Sequence, residues 1–342
     1  MSAYLNTRVS LYSERLWSDD QIVQLIAAPH AEVPQMLMKR GLAAMAQGYD
    51  GTDPRSLEGR IIAQILDETR VLLRPLTGAD RQFILYWTER FEVSNVKTLI
   101  RAKMSGERYA SLAPRLIDMG PFARLNLDDL MHAEDVTELF RRLEASPYAD
   151  IVRHARRAFE ESHDPFILDA TLDRSYYEGL VRRAQPIEAE AGKPFRDLMA
   201  SLIDRVNLVW LMRYRFNYGL PPAQVYYLLV GGHYRLHADV LQRLVTQPSV
   251  EAVVANLPPE YARSLRGAHS IMEVFCTLEA DAAEQARHIL HSAAYPLARA
   301  YAYLILRERD LRGVRAVLRG RHLRLSPNAI RQALGHQACG VA

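Results

Sequence analysis

One twelve-residue pattern occurs three times in this chain. Its copies are Glu92–Lys103, Asp204–Arg215 and Asp310–Arg321. Each reads acid, two residues, Asn or Gly, aliphatic, two residues, two apolar residues, Arg, one residue, Lys or Arg. A second pattern, a short apolar helix ending at proline, precedes each copy: Gln21–Pro29, Asp135–Pro147 and Asp239–Pro248. From that proline to the Asn or Gly position is sixty to sixty-six residues each time. A third echo follows the first two copies, Gly120-Pro-Phe-Ala-Arg124-Leu125 and Gly231-Gly-His-Tyr-Arg235-Leu236. Patterns kept in order and spacing predict three homologous units of about 110 residues, an ordinary domain size. Breaks near Gly120 and Gly231 give units 1–120, 121–232 and 233–342.

The units read as helical. Ile22, Leu25 and Ile26 recur at helical spacing, as do Val136, Leu139, Phe140 and Leu143, and then Leu311, Val314 and Leu318. Such spacing puts apolar side chains on one stripe of a helix. Prolines fall between these segments and mark joints, at Pro29, Pro34, Pro114, Pro121, Pro221, Pro222, Pro258 and Pro259. Asp50-Gly51 lies in a polar stretch, 47–57, that reads as a loop. Only Tyr226–Val230 has a strand's composition, and it reads as a short strand or a buried helical turn. The expected class is all-α.

Inside the repeated helix, the acid, the Asn three residues on and the aliphatic seven residues on share one face. Asn is a poor residue inside a helix, and a buried Asn needs hydrogen-bond partners. Asn95 and Asn207 are therefore expected to pin a neighbouring helix or loop, with Glu92, Asp204 and Asp310 beside them. This is a packing role, not a catalytic one.

Signals of chemistry are sparse. Phosphate-binding and dinucleotide-binding glycine loops are missing, as are His-Glu-x-x-His, Cys-x-x-Cys and Gly-x-Ser-x-Gly. Two cysteines, Cys276 and Cys339, exclude a disulfide scaffold and a four-cysteine zinc site and fit a reducing compartment. His288 and His291 have no evident metal-binding company. The cluster Asp128–Asp135 resembles a diphosphate-binding site on a helical enzyme but lacks a second acidic motif, so helix capping is its expected role. No cofactor, metal or catalytic residue is expected. The apolar stretches at 225–230 and 300–306 are far shorter than the roughly 20 residues a membrane-spanning helix needs. The first residues have no apolar core of a signal peptide. A soluble cytoplasmic protein is expected.

The net charge is +3, but residues 307–331 hold eight arginines against Glu308 and Asp310. Arg312, Arg315 and Arg319 share a helix face beside the apolar face of Leu311, Val314 and Leu318. A solvated face is the default reading, an acidic partner the second, and nucleic acid the third.

At these residues the chain resembles a known family. Ala3-Tyr4-Leu5-Asn6-Thr7-Arg8, with Glu92–Lys103, Asp204–Arg215 and Glu308–Pro327, is similar to the central-stalk component of V/A-type rotary ATPases, the C subunit of prokaryotes and the d subunit of eukaryotes. Gly313 departs from the pattern, since the other copies hold Asn. The resemblance implies three similar helical bundles arranged as a pseudo-threefold funnel. It implies a non-catalytic piece that couples the rotor shaft to the membrane proteolipid ring for proton or sodium transport, peripheral on the cytoplasmic face. The implied partners are the shaft subunits and the ring. The paired basic positions Arg101/Lys103, Arg213/Arg215 and Arg319/Arg321 are then candidates for contact with ring loops or lipid phosphates. The competing reading is that they cap helix C-termini or form internal ion pairs. A generic all-helical protein-binding scaffold is the alternative function.

Overall fold

The computed structural model describes residues 2–47, 54–107, 112–162, 164–232 and 234–334. Asp50-Gly51, His233 and Cys339 lie outside them. Among the described residues the chain is all-α, with no strand. No described helix is long and apolar enough to cross a membrane.

Helix starts follow local chemistry. The helices Ser2–Ser13 (α1), Asp19–Ala27 (α2), Val33–Lys39 (α3), Ala43–Gln47 (α4), Pro54–Leu73 (α5) and Gly78–Ser105 (α6) come first. Ser18 and Gln21 form a reciprocal capping box at the start of α2. Then follow Leu127–Met131 (α7), Val136–Glu144 (α8), Ala149–Ser162 (α9) and Pro165–Ala191 (α10). Asn126 caps α7 and Asp135 caps α8, while Asp128 and Asp129 sit in the first turn of α7, where acids complement the helix dipole. Lys193–Met212 (α11), Pro222–Leu228 (α12), Ala238–Val245 (α13), Val250–Ala255 (α14) and Pro259–Ala262 (α15) continue the chain. Ile271–Ser292 (α16), Pro296–His322 (α17) and Pro327–Ala333 (α18) complete it.

Prolines open α12, α15, α17 and α18, where a missing amide costs nothing. Pro186 is the exception to proline as a joint, because α10 runs through it. Tyr226, Tyr227 and Leu228 form the last turn of α12 and the backbone turns extended at Leu229, so that segment ends a helix and is not a strand. Of the polar stretch 47–57, the described residues are helical, since α4 ends at Gln47 and α5 begins at Pro54, and 48–53 lie outside the described residues.

Contacts divide the chain into two compact units. One comprises residues 77–185, the other residues 1–76 with 186–342. The first division falls just before α6 and the second inside α10 at Pro186, whereas the sequence breaks at Gly120 and Gly231 fall after α6 and α11.

In the unit of residues 77–185, α6 and α10 run antiparallel. Lys97 meets Asp173, Arg101 meets Asp169, and Tyr86 stacks on Tyr176. The Tyr86 and Tyr176 hydroxyls donate to the carbonyls of Tyr176 and Trp87. A Cβ at Gly179 would stand 2.0 Å from the Tyr86 hydroxyl, so this contact requires glycine.

In the other unit, α17 is packed by α1, α2, α5, α11, α16 and α18. Its Leu297, Tyr301, Tyr303, Leu304, Leu311, Val314 and Val317 are buried. Arg307 is 1% exposed and pairs with buried Glu68 of α5. It also donates to the carbonyls of Arg15 and Arg40, and Tyr303 donates to Glu68. One guanidinium therefore ties the ends of α1 and α3 to α5 and α17. A buried ion pair stands only when its remaining hydrogen bonds are met in this way.

Candidate functional site

The repeated helices lie in α6, at the end of α11, and in α17. In the first two the acid faces a loop and not solvent, while Asp310 of the third is half-buried. Glu92 and Asp204 are 1% and 2% exposed. The Glu92 carboxylate accepts the backbone amides of Arg124 and Leu125, both at 2.9 Å, and the Tyr148 hydroxyl at 2.6 Å. Asp204 accepts the amides of Arg235 and Leu236 at 3.1 and 3.3 Å, and the Tyr261 hydroxyl at 2.6 Å. The Gly-to-Arg-Leu echo in the sequence is thus the loop that each acid grips. Arg124 and Arg235 return an ion pair to the parent helix, at Glu89 and Asp197.

The Asn position clamps the same loop a few residues earlier. Asn95 Nδ2 donates to the Ile117 carbonyl at 2.8 Å, and its Oδ1 accepts the Ile117 amide at 2.7 Å. Asn207 does the same to Val230, at 3.0 and 2.9 Å. One side-chain amide satisfies both backbone groups of one loop residue, as a strand partner would. At the second junction the loop also needs Gly232. A Cβ there would stand 2.4 Å from the Ala238 nitrogen.

The third copy closes differently. Asp310 accepts a single amide among the described residues, from Trp17, at 2.8 Å. Trp17 precedes the cap residue Ser18 of α2, as Leu125 precedes Asn126 and Leu236 precedes His237. The N-terminal segment therefore supplies the third loop. Gly313 stands where Asn95 and Asn207 clamp, and a Cβ there would come no nearer than 4.0 Å to Ile22 Cδ1. Burial pushes the Asp310 carboxyl up to about 7, against the lowering effect of the Trp17 amide and of Arg307, Arg309 and Arg287. Burial also raises Asp204, opposed by the Tyr261 hydroxyl and by the amides of Leu236 and Arg235. The tyrosines move upward as well, Tyr148 and Tyr261 both by burial first and then by nearby carboxylates.

The two members of each basic pair have different surroundings. Lys103 Nζ donates to the carbonyls of Met131, at 2.7 Å, and Ala133. Arg215 donates to Val245 and Leu220 carbonyls at 2.8 Å each. Arg321 donates to Ile26 and Ala28 carbonyls at 2.8 Å and to Leu25 at 3.2 Å. All three hold the C-terminal carbonyls of the short helix that follows the clamped loop: α7, α13 and α2. Cations there complement the helix dipole. The first members, Arg101, Arg213 and Arg319, are exposed. Arg101 pairs with Asp169. Arg312 and Arg315, on the arginine-rich face, pair with Glu279 and Glu58.

Tyr148 and Tyr261, the third donors to the acids, are not marked by the repeated pattern itself. Their separations from the acid, 56 and 57 residues, are a signal that a longer alignment of the repeats contains. Trp17 carries no such signal, because its partner lies 293 residues away. Among the described residues no three His, Cys, Asp or Glu side chains are placed to hold a metal ion. His288 and His291 are exposed. The arrangement fastens loops to long helices at the three places where the repeated pattern occurs.

Comparison with known proteins extends the likeness over nearly the whole chain. Residues 5–333 match the family described as ATP synthase (C/AC39) subunit. The C subunit of the A-type ATP synthase of Methanocaldococcus jannaschii is 23% identical over 97% of this chain and 86% of its own length. That of Haloquadratum walsbyi is 26% identical over 96% of each. That of Haloferax volcanii is 25% identical over 97% of this chain and 96% of its own.

Proposed function

The chain belongs to the ATP synthase (C/AC39) subunit family, and from that membership we propose that it couples the rotor shaft to the membrane proteolipid ring. It is a subunit of the rotary ATPase and not its catalytic part. The finer role rests on one observation: two long helices carry the same acid-and-asparagine clamp on the loop that follows, and a third carries a reduced version. A coupling piece transmits torque only if its elements do not slide. Buried, fully satisfied polar clamps hold loops in register, and close-packed interiors pass strain onward. We propose three homologous helical units, divided near Gly120 and Gly231, each built around one such helix.

The exposed cations Arg101, Arg213 and Arg319 recur once per unit and are the proposed contacts with partners. Their counterparts Lys103, Arg215 and Arg321 are engaged inside the fold, as cations on helix carbonyls. The proposed location is peripheral, on the cytoplasmic face of the membrane. Ion transport belongs to the ring and ATP turnover to the catalytic head.

The test is co-purification from detergent-solubilised membranes with a tagged full-length chain. Shaft and ring subunits are expected in the eluate. Recovery of the chain with neither of them would contradict the coupling role.

A further inference from the structure

The third junction leaves space that the other two fill. Gly313 replaces the clamping Asn, and a Cβ there would meet nothing nearer than Ile22 Cδ1 at 4.0 Å. A cavity of about 340 Å³ lies beside it, with Trp17, Ile22, Phe275, Cys276, Gly313 and Leu334 in its walls. The indole Nε1 of Trp17 is buried without a hydrogen-bond partner among the described residues. A buried indole N–H ordinarily finds an acceptor, which points to an occupant beyond the described residues.

The cavity wall says which occupant. Leu334, the last described residue, lines it, so the chain leaves the described fold at this place. Cys276 of α16, 7% exposed in the same wall, is held in a disulfide. The chain has one other cysteine, Cys339, five residues past Leu334. Five extended residues span up to about 17 Å, and a disulfide needs Cα atoms about 5.5–6 Å apart. A thiol of another molecule would have to enter the fold to reach Cys276, whereas this chain's own tail begins beside it.

We propose that residues 335–342 turn back along this cavity and that Cys276 and Cys339 form a redox latch, fastening the third junction where the polar clamp is missing. The tail brings carbonyl oxygens, of its backbone and of Gln337, to the Trp17 indole. The bond ties α16 to the end of α18. Because α18 packs on α2 and α17, the latch joins every helix of this junction across Gly313.

The oxidant is a small-molecule disulfide such as oxidised glutathione. The Cys339 thiolate attacks it, forms a mixed disulfide and expels one small thiolate. The Cys276 thiolate then attacks the Cys339 sulfur and expels the second. Cys276 acts second because it is buried away from the reagent. Two protein thiols and one small disulfide become one protein disulfide and two small thiols. Two electrons pass to the glutathione sulfurs, and the two thiol protons end on them. The latch is open where small thiols prevail and closes as their disulfide accumulates.

The test equilibrates the full-length chain with mixtures of reduced and oxidised glutathione, blocks free thiols, and digests with trypsin without reduction. Cleavage after Arg266, Arg287 and Arg331 puts the two cysteines on peptides 267–287 and 332–342. Those two peptides are expected to be linked, in a monomeric chain. At half-oxidation, the squared concentration of reduced glutathione divided by that of oxidised glutathione should be at least about tenfold higher for the folded chain than for the chain in denaturant, because docking concentrates Cys339 at Cys276. Equal values would show that the tail does not dock and would overturn the proposal. Linkage between copies, or glutathione adducts without the linked peptide, would overturn it as well. The comparison uses the wild-type chain, so no variant has to fold.

Discussion

At the second junction Asp204 holds two backbone amides and a tyrosine hydroxyl, and Asn207 holds one loop residue at both ends. At the third junction Asp310 holds one amide, and no asparagine assists it. The difference lies in how each loop reaches its helix. The loops at the first two junctions follow their helices directly, with the acid 31 to 33 residues from the amides it accepts. The third loop arrives from the opposite end of the chain, 293 residues away. Closing over such a distance costs more chain entropy. It is secured elsewhere, by Arg307 on the carbonyls of Arg15 and Arg40 and by Arg321 on the end of α2. One repeated pattern thus yields two local polar clamps and one distant closure fastened by arginines.

The largest expected effect separates the acids. Asp204→Ala leaves two amides and a buried hydroxyl without an acceptor, and should cost roughly 3–5 kcal/mol of stability. Asp310→Ala orphans one amide beside a half-buried carboxylate, so about 1 kcal/mol or less is expected. Chemical denaturation of the two variants checks this, and equal losses would erase the distinction between the junctions. Next come the asparagines. Asn207→Ala strands both backbone groups of Val230, at a cost of about 2–3 kcal/mol. Gly313→Asn enters open space, and should shift stability by no more than about 1 kcal/mol. A large loss on Gly313→Asn would mean that the third site tolerates only glycine.

The basic pairs should show the smallest stability effects and the sharpest contrast in kind. Arg321→Ala removes three bonds to the end of α2, and about 1–2 kcal/mol should be lost. Arg213→Glu and Arg319→Glu should leave stability within about 0.5 kcal/mol, as exposed substitutions do. Their effect should emerge as weaker retention of partner subunits in co-purification. Unchanged retention across a salt series would remove these two arginines from the interface.

Much of this is legible in the residues. Helical spacing and capping residues foretell the all-α class, and the repeated acid and asparagine mark the helices whose side chains leave the solvent. The sequence does not show which member of each basic pair turns inward, because Arg-x-Lys and Arg-x-Arg read alike until the following helix is in place. Nor does it show that residues 1–76 pack with residues 186–342, since a linear repeat carries no information about which end closes the last copy. Pro186 inside α10 shows the same limit, as neighbouring turns and packing outweigh a local breaker.

The coupling role is tested most directly by measuring ATP hydrolysis and ATP-driven ion uptake together, in vesicles reconstituted with and without this chain. Hydrolysis by the head should persist without it while uptake disappears, and adding the chain back should restore uptake. Uptake that continues undiminished in its absence would contradict the assignment.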